Sequence, residues 1–354
     1  MELLNATLCE IVPADAAAKA AARLRLEQLT MPHWALGRLM DLAEELAGIT
    51  RSLRPPVGRK TVVTMAADHG VAAAGVSKYP QAVTAQMVHN FVNGGAAINA
   101  LARLAGARVV VVDMGVAADL GVLAERGRII SRRVGAGTRN IALGPAMSRD
   151  EAVRSIEAGM EVAQELASST DLFGTGDMGI GNTTPSSAIV AVLAGAEVER
   201  VTGRGTGIED EQLKHKIGVI EQALRVNAPD PRDAVDVLAK VGGFEIGGIA
   251  GLILGAAARK TPVLVDGFIS TAAALLAQQL QPMAVDYMLP AHRSLEQGHR
   301  IALERLGKRP LLDLELRLGE GTGAALGMHL VEAAVRVLTE VATFEEAAVS
   351  KAER

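Results

Sequence analysis

Cysteine and aromatic residues are scarce in this 354-residue sequence, and each shortage excludes a class of structure or chemistry. Because Cys9 is the single cysteine, the chain can form neither an internal disulfide nor a thiolate cluster, which is typical of a protein from the reducing cytoplasm. Aromatic residues make up 2% of the chain and apolar residues 49%, so the core must consist mainly of aliphatic side chains and methionine. Any pocket for a flat ring therefore has aliphatic and thioether walls.

A strongly basic composition, metal-ligand spacing and long hydrophobic runs are also absent. The 36 basic and 40 acidic residues give a net charge of −4, which does not favour nucleic-acid binding. None of the seven histidines has the spacing of a metal site. The most apolar run, residues 246–258, is shorter than the ~20 residues that cross a bilayer and indicates a buried helix. We therefore expect no metal, no nucleic-acid partner and no membrane partner.

Apolar runs and helical periodicity alternate along the chain after residue 58. Residues 61–67, 109–112 and 262–265 form continuous apolar runs, as expected for strands that are buried on both faces. Since strand–helix alternation produces a parallel sheet with helices on both sides, we predict a Rossmann-like α/β fold with an open parallel sheet. The segments with helical spacing are residues 15–28, 33–47, 84–104, 148–167, 184–193, 210–226, 246–258 and 321–341.

An aspartate follows each of the three predicted strands. Asp68, Asp113 and Asp266 therefore fall at the carboxyl edge of the sheet, where open α/β folds bind their ligands. The alternative for each residue is a cap on the next helix or turn. Taken together, the three aspartates indicate a ligand site at this edge.

Glycine-rich runs occur at residues 174–181, 203–207 and 319–323, each with a single acid or base. Glycine lets backbone N–H groups approach a ligand closely. Residues 182–185 then indicate a helix start, with Asn182 as the capping side chain and Pro185 in the first turn. Since a glycine loop that leads into a helix N-terminus favours an anion, the runs predict an enzyme that acts on a phosphate-bearing substrate.

Residues 174–179 also spell the G-x-G-x-x-G dinucleotide fingerprint, which makes a nicotinamide dehydrogenase an alternative. This alternative is weaker, because only three residues before the run can form a strand and no strand ending in a ribose-binding acid follows. A Walker lysine is missing. An acid pair followed by a glycine–threonine loop, the sign of a diphosphate-sugar donor, is missing too. If the enzyme handles a phosphoribosyl group, its donor is therefore a nucleotide.

Three polar residues near these runs are candidates for the site. Lys216 is either a surface lysine or a ligand of the anion. Ser294 follows His292 at a predicted helix start, where it either caps that helix or faces the phosphate. Glu320 either favours the start of the next helix through its charge or lies at the mouth of an apolar pocket. In such a pocket its pKa would rise and it could act as a general base.

Five long motifs occur in a fixed order at residues 176–184, 203–207, 265–270, 291–294 and 318–323. Together they resemble those of the nicotinate-nucleotide:dimethylbenzimidazole phosphoribosyltransferase family. The similarity spans nearly the whole chain and includes the segments at residues 68–70 and 79–81. Five motifs in order are far more specific than a single glycine fingerprint.

The resemblance implies a reaction of cobalamin nucleotide-loop assembly. Nicotinate mononucleotide and 5,6-dimethylbenzimidazole give α-ribazole 5′-phosphate and nicotinate. It also implies a cytoplasmic homodimer with a Rossmann-like large domain, a small helical domain drawn from both chain ends, and no metal or redox cofactor. Since residues 54–58 interrupt the helical pattern, we expect a helical part at 1–55, the large domain at 56–305 and a C-terminal segment with the Glu320 loop at 306–354.

The resemblance also implies roles for individual residues. Glu320 matches the family's catalytic glutamate. Asp177 stands where the family usually has glutamate, and its side chain is one methylene shorter, so it ranks below Glu320 as a catalytic carboxylate. The expected nucleotide-binding residues are Gly179, Lys216 and Ser294, with Gly176, Ile180, Gly181, Asn182, Gly205, Thr206 and Asp266 added from the glycine runs and strand ends. The residues expected near the acceptor base are Tyr79, Gln86, Met178 and Leu318.

One carboxylate suffices for this chemistry. The pyridinium of the donor leaves as a neutral pyridine ring, so the barrier lies in the positive charge that develops on the ribose and in the proton of the acceptor. A single carboxylate can stabilise that charge and take that proton. A non-catalytic nucleotide sensor or carrier is the second hypothesis, although it has no evident use for Glu320. The sequence leaves the acceptor open among dimethylbenzimidazole, adenine, other benzimidazoles and phenolics.

Overall fold

The computed structural model describes residues 1–205 and 207–350 of the chain. These residues form six strands and fifteen α-helices, with short 3-10 helices at Gly70–Ala74, Ala167–Ser169 and Pro282–Tyr287. The strands are β1 (Lys60–Ala67), β2 (Ala107–Gly115), β3 (Ile130–Ser131), β4 (Leu172–Met178), β5 (Val263–Val265) and β6 (Met288–Pro290). The helices are α1 (Glu2–Glu10), α2 (Ala16–Leu26), α3 (Arg38–Thr50), α4 (Val83–Val92), α5 (Ala97–Ala105), α6 (Gly121–Glu125), α7 (Arg149–Leu166), α8 (Thr183–Ala194), α9 (Val198–Val201), α10 (Asp210–Asn227), α11 (Ala234–Val241), α12 (Phe244–Ala258), α13 (Phe268–Leu280), α14 (Gln297–Leu306) and α15 (Thr322–Glu340).

The strands form one parallel sheet in the order β3-β2-β1-β4-β5-β6. The chain leaves β1 toward β2 and later returns to its other side with β4, so the boundary between β1 and β4 is the topological switch point at which such sheets bind ligands. Helices α12 and α13 cover one face, with α7 packed on α12, and α4, α5 and α15 cover the other. The predicted open parallel sheet with helices on both faces is therefore confirmed.

Strand β4 contains glycines that let other elements lie close to the sheet. A Cβ atom on Gly174 would lie 3.0 Å from Cβ of Ala324 in α15, and one on Gly176 would lie 2.7 Å from the carbonyl carbon of Glu320. Because real Cβ atoms essentially never come closer than 3.0 Å to such atoms, a larger residue at Gly176 would push the Glu320 loop away, whereas one at Gly174 would need Ala324 to give by a few tenths of an ångström. The glycines of β4 therefore hold the Glu320 loop against the sheet edge.

The same strand corrects an expectation drawn from the first glycine run. Gly174 and Gly176 belong to β4 itself, and the turn that leads into α8 begins only after Met178. The G-x-G-x-x-G pattern is therefore split between a strand and a turn, which is not the loop of a dinucleotide-binding fold. This removes the structural basis of the dehydrogenase alternative.

Both ends of the chain pack together beside the sheet. Helix α3 packs against α2 and against α15, and Leu29 forms an isolated antiparallel bridge with Thr343. Asp15 caps α2 by accepting a hydrogen bond of 2.8 Å from the Ala18 N–H. Helix α1, however, packs against α7 and α12, and α15 also contacts the sheet. The boundaries at 1–55, 56–305 and 306–354 stay predictions.

Several predicted helices differ from the structure. Residues 84–104 form two helices, α4 and α5, because the backbone of Gly94 is left-handed with φ of 77°. Helix α14 begins at Gln297, so His292 and Ser294 lie in the loop after β6 rather than at a helix start. Helix α13 was not predicted, because it is buried on nearly every side and lacks amphipathic spacing.

Candidate active site

A cavity of about 480 Å³ lies at the carboxyl edge of the sheet. Its walls come from the segments that follow β1, β4, β5 and β6 and from the loop before α15. This volume is within the range of sites for small molecules and cofactors. The predicted ligand site at the sheet edge therefore corresponds to a real cavity, with Asp177 and Glu320 on its wall.

Glu320 lies in a left-handed turn of the backbone. Gly319, Glu320 and Gly321 have φ angles of 85°, 63° and 95° in succession. A residue with a side chain in this region costs roughly 1–2 kcal/mol, and such strain is found mainly at functional sites. The carbonyl oxygen of Glu320 accepts a hydrogen bond of 3.0 Å from Thr64 Oγ1 in β1, which fixes the turn to the sheet.

The carboxylate of Glu320 is held by a helix from elsewhere in the chain. Its Oε2 accepts a hydrogen bond of 3.2 Å from the Ile98 N–H, in the first turn of α5. The residue is only 6% exposed, and burial raises the pKa of its carboxyl group. The Ile98 N–H lowers that pKa, and the nearby Asp266 raises it again. The group is thus an oriented carboxyl whose proton affinity exceeds that of a solvated glutamate, as a general base requires.

The helix that follows Glu320 is capped by another acid. Asp266, directly after β5, accepts hydrogen bonds of 3.2 Å from the Gly321 N–H and 2.9 Å from the Ala324 N–H at the start of α15. Glu320 lies one residue before the N-cap Gly321 and makes no capping bond to α15, so Asp266 is the capping side chain, and an effect of the Glu320 charge on the helix start stays a prediction. Asp266 is fully buried and is not part of the cavity wall, so its position is that of a structural cap.

Asp177 is a second buried carboxyl on the cavity wall. Its Oδ2 accepts a hydrogen bond of 3.0 Å from Nδ2 of Asn182. Burial raises the pKa of Asp177 to about 8, and Asp266 contributes to the rise. Glu245 and Glu320 add smaller repulsions, while the Asn182 amide opposes them. Asp177 is therefore neutral at pH 7 and differs in charge from an ordinary aspartate.

The bond between Asn182 and Asp177 changes the interpretation of the helix start. Helix α8 begins at Thr183 with Pro185 in its first turn, as predicted. The side chain of Asn182 makes no capping bond, because its amide is directed to Asp177. The prediction of a capping side chain is wrong, and Asn182 instead orients a carboxyl of the cavity.

Lys216 lies beneath the loop that carries the second glycine run. It is 1% exposed, and its Nζ donates hydrogen bonds of 2.7 Å to Thr183 Oγ1 and 3.4 Å to the carbonyl of Gly203. Burial lowers the pKa of Lys216 to about 8, against an opposing effect of Glu296. The surface-lysine alternative is therefore wrong. Because Thr183 lines the cavity at the N-terminus of α8, this end of the cavity offers a cation and a helix N-terminus to an anion.

The remaining predicted residues differ in their position relative to the cavity. Gly176 lies within β4 and Gln86 is exposed, and neither lines the cavity. Thr206 lies outside the described residues. Tyr79 and Leu318 lie at the open side of the cavity, and they are 54% and 58% exposed. The other predicted residues on the wall are Met178, Gly179, Ile180, Gly181, Gly205 and Ser294, and their individual roles stay predictions.

Two further acids near the cavity, Glu245 and Glu296, have no role predicted from the sequence. His69 Nε2 and Glu245 Oε1 are 2.6 Å apart and fully buried, directly beneath Gly179. Glu296 lines the cavity near Lys216. The Asp68-His69-Gly70 motif marks His69 in the sequence, whereas no local pattern marks Glu245 or Glu296. Within the described residues, no cluster of three or more His, Cys, Asp or Glu side chains could hold a metal.

A parallel sheet with buried carboxyl groups and an anion-binding end at its carboxyl edge is the arrangement of an α/β enzyme for a phosphate-bearing small molecule. A family model described as phosphoribosyltransferase matches residues 11–349, and the chain belongs to this family. The resemblance inferred from the motifs is thereby confirmed. No helix in the described part of the chain has the length and apolar character to span a membrane.

Relatives and solved structures extend over nearly the full chain. The nicotinate-nucleotide–dimethylbenzimidazole phosphoribosyltransferase of Syntrophotalea carbinolica is 65% identical over 351 residues, which is 99% of each chain. The protein of the same name from Desulfotalea psychrophila is 57% identical and covers 100% of both chains. A crystal structure of the enzyme from Thermus thermophilus matches with a TM-score of 0.90 and 46% identity, covering 96% of this chain and 100% of that one.

Proposed function

We propose that this chain transfers the phosphoribosyl group of nicotinate mononucleotide to 5,6-dimethylbenzimidazole, giving α-ribazole 5′-phosphate and nicotinate. The names of its relatives support this reaction. The observation that carries the proposal is the buried carboxylate of Glu320, fixed on the cavity wall by the left-handed turn and the Ile98 N–H.

The reaction forms one bond and breaks one bond at C1′ of the ribose. A ring nitrogen of the benzimidazole attacks C1′ from the face opposite nicotinate, which inverts the β configuration to α. The bond to nicotinate breaks, and its electron pair neutralises the pyridinium nitrogen. The proton on the attacking heterocycle passes to Glu320, whose one oxygen is held by Ile98 while the second accepts the proton. The same negative charge stabilises the cation-like sugar.

Asp177 does not serve as a second base in this proposal. Because burial raises its pKa to about 8, it carries a proton at pH 7 and can donate a hydrogen bond but cannot accept the acceptor's proton. In this proposal Glu320 acts as the ionised base and Asp177 as the neutral acid. Unequal environments separate acid and base roles in this way in other enzymes.

The two ends of the cavity suit the two substrates. Lys216, Thr183 and Gly205 lie at the end that we assign to the phosphate. Met178 and Leu318, together with Val76, Val83 and Met87, give the remaining wall an aliphatic and thioether character. A methylated bicyclic base fits such a wall through dispersion contacts rather than aromatic stacking.

We also propose that the enzyme works as a cytoplasmic homodimer, which light scattering and fractionation can test.

The test is incubation with both substrates, with nicotinate release and the new nucleotide identified by mass. Glu320→Gln should lower kcat by roughly 10²- to 10⁴-fold because the base is lost, while binding of the mononucleotide remains. Glu315→Gln is the matched control, since Glu315 also has a positive φ, of 56°, and is exposed in the same loop. Nucleotide binding without product in the wild type would favour the sensor or carrier. Wild-type rates in Glu320→Gln would exclude the assigned base.

A further inference from the structure

The carboxylate of Glu296 has no role in the reaction above, although it lies on the cavity wall. Glu296 directly precedes α14, yet its side chain makes no capping bond to that helix. It is 8% exposed and lies against the second glycine loop, where a Cβ on Gly203 would come within 2.8 Å of its Cδ. Oε2 of the carboxylate is buried without a hydrogen-bond partner among the described residues. The fold thus directs an incompletely bonded acid into the cavity.

This acid lies at the end of the cavity that contains Lys216. A Cβ on Gly205 would lie 3.4 Å from Nζ of Lys216, so Glu296 and Lys216 contact the same short loop from two sides. Lys216 lowers the pKa of Glu296, and Glu296 raises that of Lys216, although burial has the larger and opposite effect on each. Each group therefore favours the charged state of the other while the cavity is empty.

A bound phosphate changes this balance. A phosphate monoester carries close to two negative charges at pH 7. The ammonium of Lys216 cannot neutralise both the ester and an ionised Glu296 in a buried space, and acids forced together in this way take up a proton. An unpartnered oxygen that acquires a proton also becomes a donor, and phosphate oxygens are strong acceptors.

We propose that Glu296 is a phosphate-binding residue that acts as a neutral carboxylic acid. It is ionised opposite Lys216 in the empty cavity, takes one proton from solvent when the phosphate enters, and donates that O–H to a phosphate oxygen. No covalent bond other than the new O–H is formed. The assignment of the ligand as a phosphate rests on the proposed function. The observation of an unpartnered acid beside a buried lysine is independent of that function.

The other charged groups around Glu296 are few. Arg317, in the loop before α15, is exposed and lowers the pKa of Glu296 slightly. Arg204, in the second glycine loop, pairs with Asp210. His292 lies on the cavity wall and near Asp266. Burial is the largest effect on Glu296 and raises its pKa, and Lys216 and Arg317 oppose that rise.

Difference infrared spectroscopy on the full chain tests this directly. Nicotinate mononucleotide, added without an acceptor base, should produce a protonated-carboxyl C=O band in the wild type that shifts in D₂O. The band should be missing in Glu296→Gln and present in Glu304→Gln, an exposed glutamate of the same helix. Nicotinate riboside, which has no phosphate, should give no such band. A wild-type complex without the band, or a band that persists in Glu296→Gln, overturns the proposal.

Calorimetric titration at pH 7 separates this proposal from the proposed function. Glu296→Gln mimics the neutral acid and should bind the mononucleotide within about threefold of wild type, whereas loss of a needed ionised carboxylate would cost about tenfold or more. Failure of the wild type to bind the mononucleotide contradicts the function itself, and with it this inference. Binding without the acid band contradicts only the role of Glu296. If Glu296→Gln does not fold, Glu296→Asp keeps an acid and should shift the band rather than remove it.

Discussion

Replacing Gly176 by alanine tests whether strand β4 positions the carboxylate of Glu320, the proposed general base. The added Cβ would lie 2.7 Å from the carbonyl carbon of Glu320 and 2.8 Å from Thr64 Oγ1, and closer still to the Glu320 carbonyl oxygen. Real Cβ atoms keep at least 3.0 Å from such atoms, and here the obstacle is largely backbone. The Glu320 turn must therefore move away from the sheet.

The size of the effect follows from that displacement. The move needed is a few tenths of an ångström or more, and it also strains the 3.0 Å hydrogen bond between Thr64 and Glu320. Misplacing a catalytic group by 1 Å can cost about 100-fold in rate, so we expect kcat to fall by roughly 10- to 100-fold. Overpacking of this kind also lowers the free energy of unfolding by about 1–3 kcal/mol.

Gly174→Ala is the matched control, because Gly174 lies two residues earlier in the same strand and faces α15 rather than Glu320. Its Cβ would meet Cβ of Ala324 at 3.0 Å and the flexible end of Met328 at 3.1 Å. It should lose stability but keep kcat within about threefold of wild type. Steady-state kinetics and urea unfolding of both variants give the comparison. If Gly176→Ala loses stability but retains kcat, the strand does not position the carboxylate.

Two further predictions concern the buried acids. Because the pKa of Asp177 rises to about 8 on folding, the folded protein holds a proton that the unfolded chain releases above 3.8, so stability should fall as pH rises between these values. Asp177→Asn should flatten this dependence of stability on pH and raise the free energy of unfolding at pH 7. Urea unfolding at several pH values measures the dependence, and an unchanged slope in the variant would refute the prediction. Glu245→Ala leaves His69 buried without its partner at 2.6 Å, and it should lower the free energy of unfolding by about 3–5 kcal/mol, as measured in urea. The control Glu304→Ala breaks an exposed pair and should lower that free energy by less than about 1 kcal/mol. Equal losses in these two variants would contradict the second prediction.

The environment of Glu320 shows what a local pattern can and cannot indicate. The position of Glu320 between two glycines marks it as a candidate site residue, because a charged residue in such a loop has few structural roles. Its partners Ile98 and Thr64 lie 222 and 256 residues away in the sequence, and no local rule connects them. The cap of α15 is likewise supplied by Asp266, which precedes a different helix. Long-range contacts of this kind arise only from the assembled fold.

Strand β4 shows a similar limit for the fold. Continuous apolar runs indicated β1, β2 and β5, because strands of a parallel sheet are buried on both faces. The sequence of β4 is rich in glycine and was interpreted mainly as a loop, since glycine is depleted in strands. Pairing with β1 on one side and β5 on the other outweighs that local preference. The glycines are there for close approach of the Glu320 loop, which sequence periodicity does not encode.

The order of assembly during translation follows from the position of α15. The six strands are synthesised before Glu320 and α15, and α3 must wait for α15 before the face that packs against it is covered. A nascent chain that has not yet reached α15 would therefore lack the proposed general base and would also present an uncovered helix to chaperones and proteases. Synthesis of α15, burial of α3 and placement of the proposed base are thus linked in this enzyme.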